Sequence, residues 1–286
     1  MPKPFPDAYT HNHTVSEPGR VSFECSQDIK IWPWLALNPI HPILVQTINF
    51  WGSVECGETL GTFDPEKWSA LTHCEWTCGA PDVGRPVRGT YETLQQGEKM
   101  RYQLRFFDRD DAQVVRISGV GVVFRTRNFE GWREDTKEKF KKPNTSDFIY
   151  ASAEAVGVET QRERFLAPLR RDDGIRTTGL ITKENGLRPA HPHIGGSGDH
   201  VNSTHMGEVG RQFVTLLVGE KLINCGGDMS FLHYVELGRP FEVELLAYSE
   251  PDCAISMLVR QQDRDCTKID MQFEPAQHTA SSTASS

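Results

Sequence analysis

Apolar and polar positions along the chain change rhythm several times. The strongest single pattern spans Met206, Val209, Gly210, Phe213, Leu216 and Leu217. That spacing of i, i+3, i+4, i+7 predicts a helix with one apolar stripe. Ser203 or Thr204 is placed to cap it and Gly219 to stop it. Gly227 to Val235, Phe241 to Ser249, Ala254 to Gln261 and Lys268 to Phe273 then read as strands. A strand from Ile175 to Lys183 precedes the helix. One strand, a loop, a central helix and a run of antiparallel strands is an α+β order.

The first half has a different rhythm. Val21 to Glu24 and Ile29 to Trp32 read as short strands, with Pro-broken turns at Pro33, Pro39 and Pro42. Gln46 to Val54 is rich in β-branched and aromatic residues and also reads as a strand. A hairpin is predicted from Met100 to Phe107 and Val114 to Phe124, turning at Asp108 to Asp111. Gly119 and Gly121 allow a bend or bulge in its return strand. Short strands joined by Gly/Pro turns suggest an antiparallel barrel or sandwich. The stretch up to Arg20 shows no periodicity and is expected to lie loosely on the surface. Ala155, Val158 and Phe165 recur at roughly helical spacing, so Ala151 to Leu169 is expected to form one helix.

Charge alters this picture little. The chain has 286 residues and a formal net charge of -8. Its one basic run, Lys137 to Lys142, is short and mixed with acid, so no nucleic-acid partner is expected. That run reads as a solvated linker, and the domain boundary is placed at residue 145. Residues 1–145 are then a mainly antiparallel β domain, 146–275 an α+β domain, and 276–286 a small polar disordered tail. No apolar run approaches the roughly 20 residues that span a bilayer. No export signal is seen at the N-terminus, so a cytoplasmic location is expected. Seven cysteines without a zinc-like pattern fit a reduced protein with mostly buried thiols. Gly195 to Gly198 lacks the strand, helix and lysine of a phosphate-binding loop, and no cofactor is expected.

The candidate chemistry lies in the loop that feeds the C-terminal helix. Asp199, His200 and Asn202 stand where a helix N-terminus offers unpaired N–H groups and a positive dipole end. Such donors can hold a carbonyl oxygen as it gains charge. A carboxylate beside it can activate water or attack, and a histidine can carry the proton. Ser203, Thr204 and His205 are candidate substrate-binding residues, and Glu208 is a second candidate base. Each also has a blander explanation: Asp199 and Asn202 are good turn and capping residues, and Glu208 fits a solvated helix face.

His200-Val201-Asn202, the helix after Ser203, and the stretch Met229 to Glu244 resemble the hot-dog superfamily of thioesterases. The resemblance covers about 100 residues and departs at Ser203 and in the position of the acid, Asp199. It implies a hot-dog domain in the C-terminal half, an acyl-thioester substrate and a homodimer or larger assembly. Met100 to Thr136 also resembles a small β-barrel module of sterol-oxidase-like proteins. The first half is therefore expected to be barrel-like, with a degenerate second hot-dog as the variant. Trp68 to Leu71 is too short to serve as the central helix of such a unit.

Three other readings compete. Hot-dog hydratases carry Gly-Asp-x-Asn-Pro-x-His, against Gly198-Asp199-His200-Val201-Asn202-Ser203-Thr204-His205 here, which has one extra residue and no proline. A metal site could draw on His191, His193, His200, His205 and Glu208, but the spacing fits no familiar ligand set, so none is expected. The six tryptophans, with Phe50, could line a pocket for a hydrophobic ligand and make the protein a non-catalytic carrier.

Overall fold

The computed structural model describes residues 8–63, 69–96, 99–123, 131, 145–159, 163–184, 200–250 and 252–275. Its strands in chain order are β1 (Thr10–Glu17), β2 (Arg20–Cys25), β3 (Ser69–Cys78), β4 (Arg88–Gln96), β5 (Lys99–Phe107) and β6 (Gln113–Val123), then β7 (Arg176–Gly179), β8 (His200–Val201), β9 (Leu222–Phe231), β10 (Val235–Glu236), β11 (Phe241–Ser249), β12 (Ala254–Gln261) and β13 (Arg264–Pro275). Two long helices, α1 (Pro42–Thr59) and α2 (Ser203–Val218), complete the frame.

Eleven strands form one sheet in the order β1-β2-β4-β5-β6-β3-β9-β13-β12-β11-β7, and β8 pairs separately with β10. Among the described residues β1 ends the sheet on one side and β3 pairs onward with β9, so the first half is not a closed barrel; on the other side Leu166 and Arg170 bridge to β7. The two halves of the long sheet join where β3 pairs with β9, from His73 opposite Ser230 to Thr77 opposite Gly226. Both helices lie against the sheet. Close approach in each case depends on a missing side chain. A Cβ at Gly52 would stand 3.2 Å from Leu104 and Phe106 on β5, and one at Gly210 would stand 2.4 Å from Met271 on β13. The helices also touch each other: a Cβ at Gly207 would lie 3.3 Å from Pro42. The N-terminal turns of α1 and α2 are therefore in contact.

The central correction to the sequence reading is α1. Gln46 to Val54 is helix, not strand. Fourteen of the eighteen residues of α1 are buried, on every side, so no apolar stripe marks the helical period. Its start is signalled locally: Pro42 occupies the first turn and His41 caps it, Nδ1 accepting the Ile43 N–H at 3.2 Å.

Three smaller expectations also fail. The described part of the segment before Arg20 is not loose: Tyr9 is fully buried, and Tyr9 N, Thr10 N and Thr10 Oγ1 all donate to Glu55 on α1 at 2.6 to 2.9 Å, while residues 1–7 lie outside the described residues. Ile29 to Trp32 is a turn, because Asp28 takes the Lys30 N–H on its side chain and the Trp32 N–H on its carbonyl. Ala151 to Leu169 forms no single helix. Gly157 takes a left-handed φ of 66°, and the Leu166 carbonyl and Phe165 carbonyl accept from Ala151 and Leu180. Those bonds lay the segment alongside β7, where Leu166 bridges Gly179.

The other predicted strands and the C-terminal helix stand close to the positions expected of them, with Gly227 to Val235 divided between β9 and β10. The role of Gly119 is steric. It lies opposite Tyr102 in regular register, and a Cβ there would meet the Tyr102 ring at 2.2 Å. Among the described residues no helix is long and apolar enough to cross a membrane.

Candidate functional site at the helix N-termini

The approach to α2 is held by a short β-ladder. Val201 pairs with Val235 and His200 with Glu236. Gln261 anchors the partner strand, accepting the Glu236 N–H at 2.8 Å and donating back to the Glu236 carbonyl. His200 is half-buried, its ring edge-on to Tyr234 with centroids 4.7 Å apart. Asp199 lies outside the described residues, as do His191 and His193.

Asn202, not Ser203 or Thr204, is the cap of α2. Its side-chain oxygen accepts the His205 N–H at 3.2 Å, and His205 Nδ1 accepts the Asn202 N–H at 3.2 Å. This reciprocal capping box fixes both residues in structural positions. It leaves the first-turn N–H groups of Ser203 and Thr204 without an intrahelical acceptor. The first turn of α2 contains no acidic residue to neutralise it. His205 is buried, 2% exposed, with its ring against Phe165.

Glu208 is not on a solvated face. It is 1% exposed and is gripped by Arg211, which donates at 2.8 and 2.5 Å, and by Gln212 at 2.9 Å. Burial alone would raise its carboxyl, but the adjacent guanidinium overrides that and holds it below the usual carboxylate range. Arg211 and Gln212 also reach the Val156 and Glu163 carbonyls, and the Phe165 N–H donates to Gln212, so this cluster ties those three residues to α2.

The residue the sequence reading passed over is His41. Its Nε2 lies 3.9 Å from Glu208 Oε2, which brings the cap of α1 to the second turn of α2. Burial lowers His41 to about 4, with Glu208 opposing and Arg211 adding to the shift. The ring is therefore neutral near pH 7, and the contact is imidazole to carboxylate, not an ion pair. Because Nδ1 accepts from Ile43, the ring proton sits on Nε2. A signal was available: Asn38-Pro39-Ile40-His41 carries the Asn-Pro-x-His of the hydratase motif, in the half of the chain where it was not sought.

Solved structures resemble this arrangement over nearly its whole length. An acyl-ACP thioesterase from Bacteroides thetaiotaomicron superposes with a TM-score of 0.53 at 10% identity, covering 90% of this chain and 97% of that one. A chain described as an oleoyl thioesterase from Lactobacillus plantarum gives 0.52 at 14% identity, covering 84% and 91%. The dehydratase domain of RzxB from Pseudomonas fluorescens gives 0.51 at 11% identity, covering 93% and 98%. This chain has the hot-dog fold. No protein-family model matches it, and no curated protein matches it in sequence. At these identities the likeness fixes the hot-dog architecture and leaves the chemistry to the site. Among the described residues no cluster of three or more His, Cys, Asp or Glu is arranged to hold a metal.

Proposed function

We propose that this protein is an acyl-thioester hydrolase acting on an acyl-CoA or acyl-carrier-protein substrate at the N-terminus of α2. The observation that carries the reading is the capping box. It directs the first-turn N–H groups of a helix with no acid in its first turn toward the end where half-buried His200 enters. Those N–H groups would hold the thioester oxygen as it becomes an oxyanion. Asp199 would serve as base or nucleophile and His200 as proton carrier, with Asn202 holding the loop in register. Glu208 acts in this scheme by fixing α2 and not by touching substrate. The same proposal takes the chain as two hot-dog units in tandem, residues 1–145 and 146–275, α1 being the central helix of the first. It includes a cytoplasmic protein, a homodimer or larger assembly, and a place in lipid or secondary metabolism.

A second reading is favoured by one observation, the 3.9 Å approach of His41 to Glu208. Removing water from a hydroxyacyl thioester, or adding it, needs groups that take and return protons on either side of one carbon–carbon bond. An imidazole and a carboxylate supplied by two different helices suit that task.

One assay separates the two. Saturated acyl thioesters of short, medium and long chain, and their 3-hydroxy counterparts, are supplied to the parent, Asp199→Asn, His200→Ala and His41→Asn. Hydrolysis predicts thiol release, lost about a hundredfold or more in the first two variants while they remain folded. Enoyl product without thiol release, lost in His41→Asn, would replace the hydrolase with the second reading. No turnover of any substrate would sink both and leave a non-catalytic carrier of hydrophobic ligands.

A further inference from the structure

Between α1 and the sheet, four buried polar side chains form a chain of hydrogen bonds. Tyr102 OH donates to Asn49 Oδ1 at 2.9 Å, Asn49 Nδ2 approaches Cys74 Sγ at 3.4 Å, and Cys74 Sγ approaches Gln46 Oε1 at 3.6 Å. Gln46 and Cys74 are fully buried, Asn49 is 1% exposed and Tyr102 5%. Each link has a direction. A phenol gives its proton to the amide oxygen, the amide nitrogen gives to sulfur, and the thiol gives to the next amide oxygen. The chain therefore ends at Gln46, with Oε1 engaged by the thiol and Nε2 left outside the chain. That nitrogen is buried and has no hydrogen-bond partner.

A fully buried amide nitrogen left unpaired costs stability that a methionine of similar shape would not. Its position gives that cost a purpose. Gln46 is five residues after His41, the cap of α1, about 7.5 Å along the helix axis. Its Cγ lies 3.4 Å from where a Cβ on Gly207 would stand, beside Glu208. The side chain that carries the orphan donor thus lies beside the contact of the two helix N-termini.

We infer that Gln46 is a specificity residue, and that its Nε2–H binds an oxygen carried on the acyl chain, so that the preferred substrate is an oxygenated acyl thioester. This rests on the acyl-thioester reading above. A plain alkyl chain would leave the amide unpaired in the complex, whereas an oxygen acceptor satisfies it. Selection of this kind works through the penalty on the substrate that lacks the oxygen.

The test compares decanoyl and 3-hydroxydecanoyl thioesters of N-acetylcysteamine, with consumption followed by thiol release and by enoyl formation. The parent should favour the hydroxylated substrate in kcat/KM by about tenfold or more, the difference lying mainly in KM. In Gln46→Met that ratio should collapse toward one, while Tm stays level or rises because the unpaired amide is gone. A purely structural Gln46 would give the opposite: a lower Tm and an unchanged ratio. Should the methionine variant fail to fold, the ratio in Gln46→Leu decides, since it too removes the donor. An active parent without the preference, or a preference that survives Gln46→Met, overturns this inference and leaves the thioester reading standing. A parent inactive on both substrates overturns the two together.

Discussion

The indole N–H of Trp76 donates to the side-chain oxygen of Asn224 at 2.9 Å, across the seam where β3 meets β9. Both residues are buried, at 2% and 3% exposed. Asn224 uses its nitrogen as well, toward the carbonyls of Gly226 and Gln272. Its one amide therefore stitches strands from both halves of the sheet. Asn224→Ala strands a buried indole N–H and is expected to cost about 2 kcal/mol. Urea unfolding should show a lower midpoint with an unchanged slope. A midpoint equal to the parent's would mean that the seam is held by backbone pairing alone.

The contribution of His41 to stability should fall as pH drops from about 6.5 to 4. The folded protein holds His41 near 4, well under the unfolded imidazole value of about 6.5. In that window the unfolded chain takes up a proton that the fold refuses, so acid favours unfolding. His13, also lowered by burial, acts in the same sense. Glu55 acts in the opposite one: burial raises it to about 7, so its contribution is lost as pH rises. His41→Asn keeps a residue able to cap α1 and removes the titration. Its Tm should decline less steeply than the parent's between pH 7 and 4.5, and superimposable curves would refute the assignment.

The legibility of each half in the sequence follows from how its helix is surrounded. In α2 the apolar residues Met206, Val209, Phe213 and Leu217 occupy one side, and Glu208, Arg211, Gln212 and Thr215 the other. The polar side is buried too, but its residues are paired, so a stripe survives in the sequence. In α1 the polar residues Gln46, Asn49 and Glu55 are scattered among Ile48, Trp51 and Val54, each meeting a partner in a different direction. That composition carries strand propensity and no period, and Gln46 to Val54 reads as a strand. The site divides the same way. His200 and Asn202 can be placed from the helix that follows them, whereas His41 is hidden by Pro39 and Pro42, which read as turn residues. Its approach to Glu208 joins positions far apart in the chain, and no local pattern announces it.

Glu208 and Arg211 are expected to behave as a unit. Glu208→Leu leaves a guanidinium buried without its carboxylate, and the expected loss is about 3–5 kcal/mol. Arg211→Met should cost a comparable amount by stranding the carboxylate. The double replacement Glu208→Leu with Arg211→Met removes both charges and should be more stable than either single variant. Chemical denaturation of the four proteins closes the cycle. Additive losses would show that the pair is not the source of the stability of α2.

Gly119 is the residue on which the buried chain from Tyr102 to Gln46 depends most directly. A methyl group there would stand 2.2 to 2.6 Å from Tyr102 Cζ, OH and Cε1. These are atoms of a rigid ring that is itself 5% exposed, so the strain cannot be relieved by turning a flexible tip. Gly119→Ala should therefore displace the ring, break its bond to Asn49 and destabilise the fold by about 1–3 kcal/mol. Truncating the obstacle should recover part of that loss: Gly119→Ala with Tyr102→Leu is expected to be more stable than the two single losses would sum to. A cycle with no coupling would mean that the strand gives way instead of the ring, and that the glycine is there for the backbone of β6 and not for Tyr102.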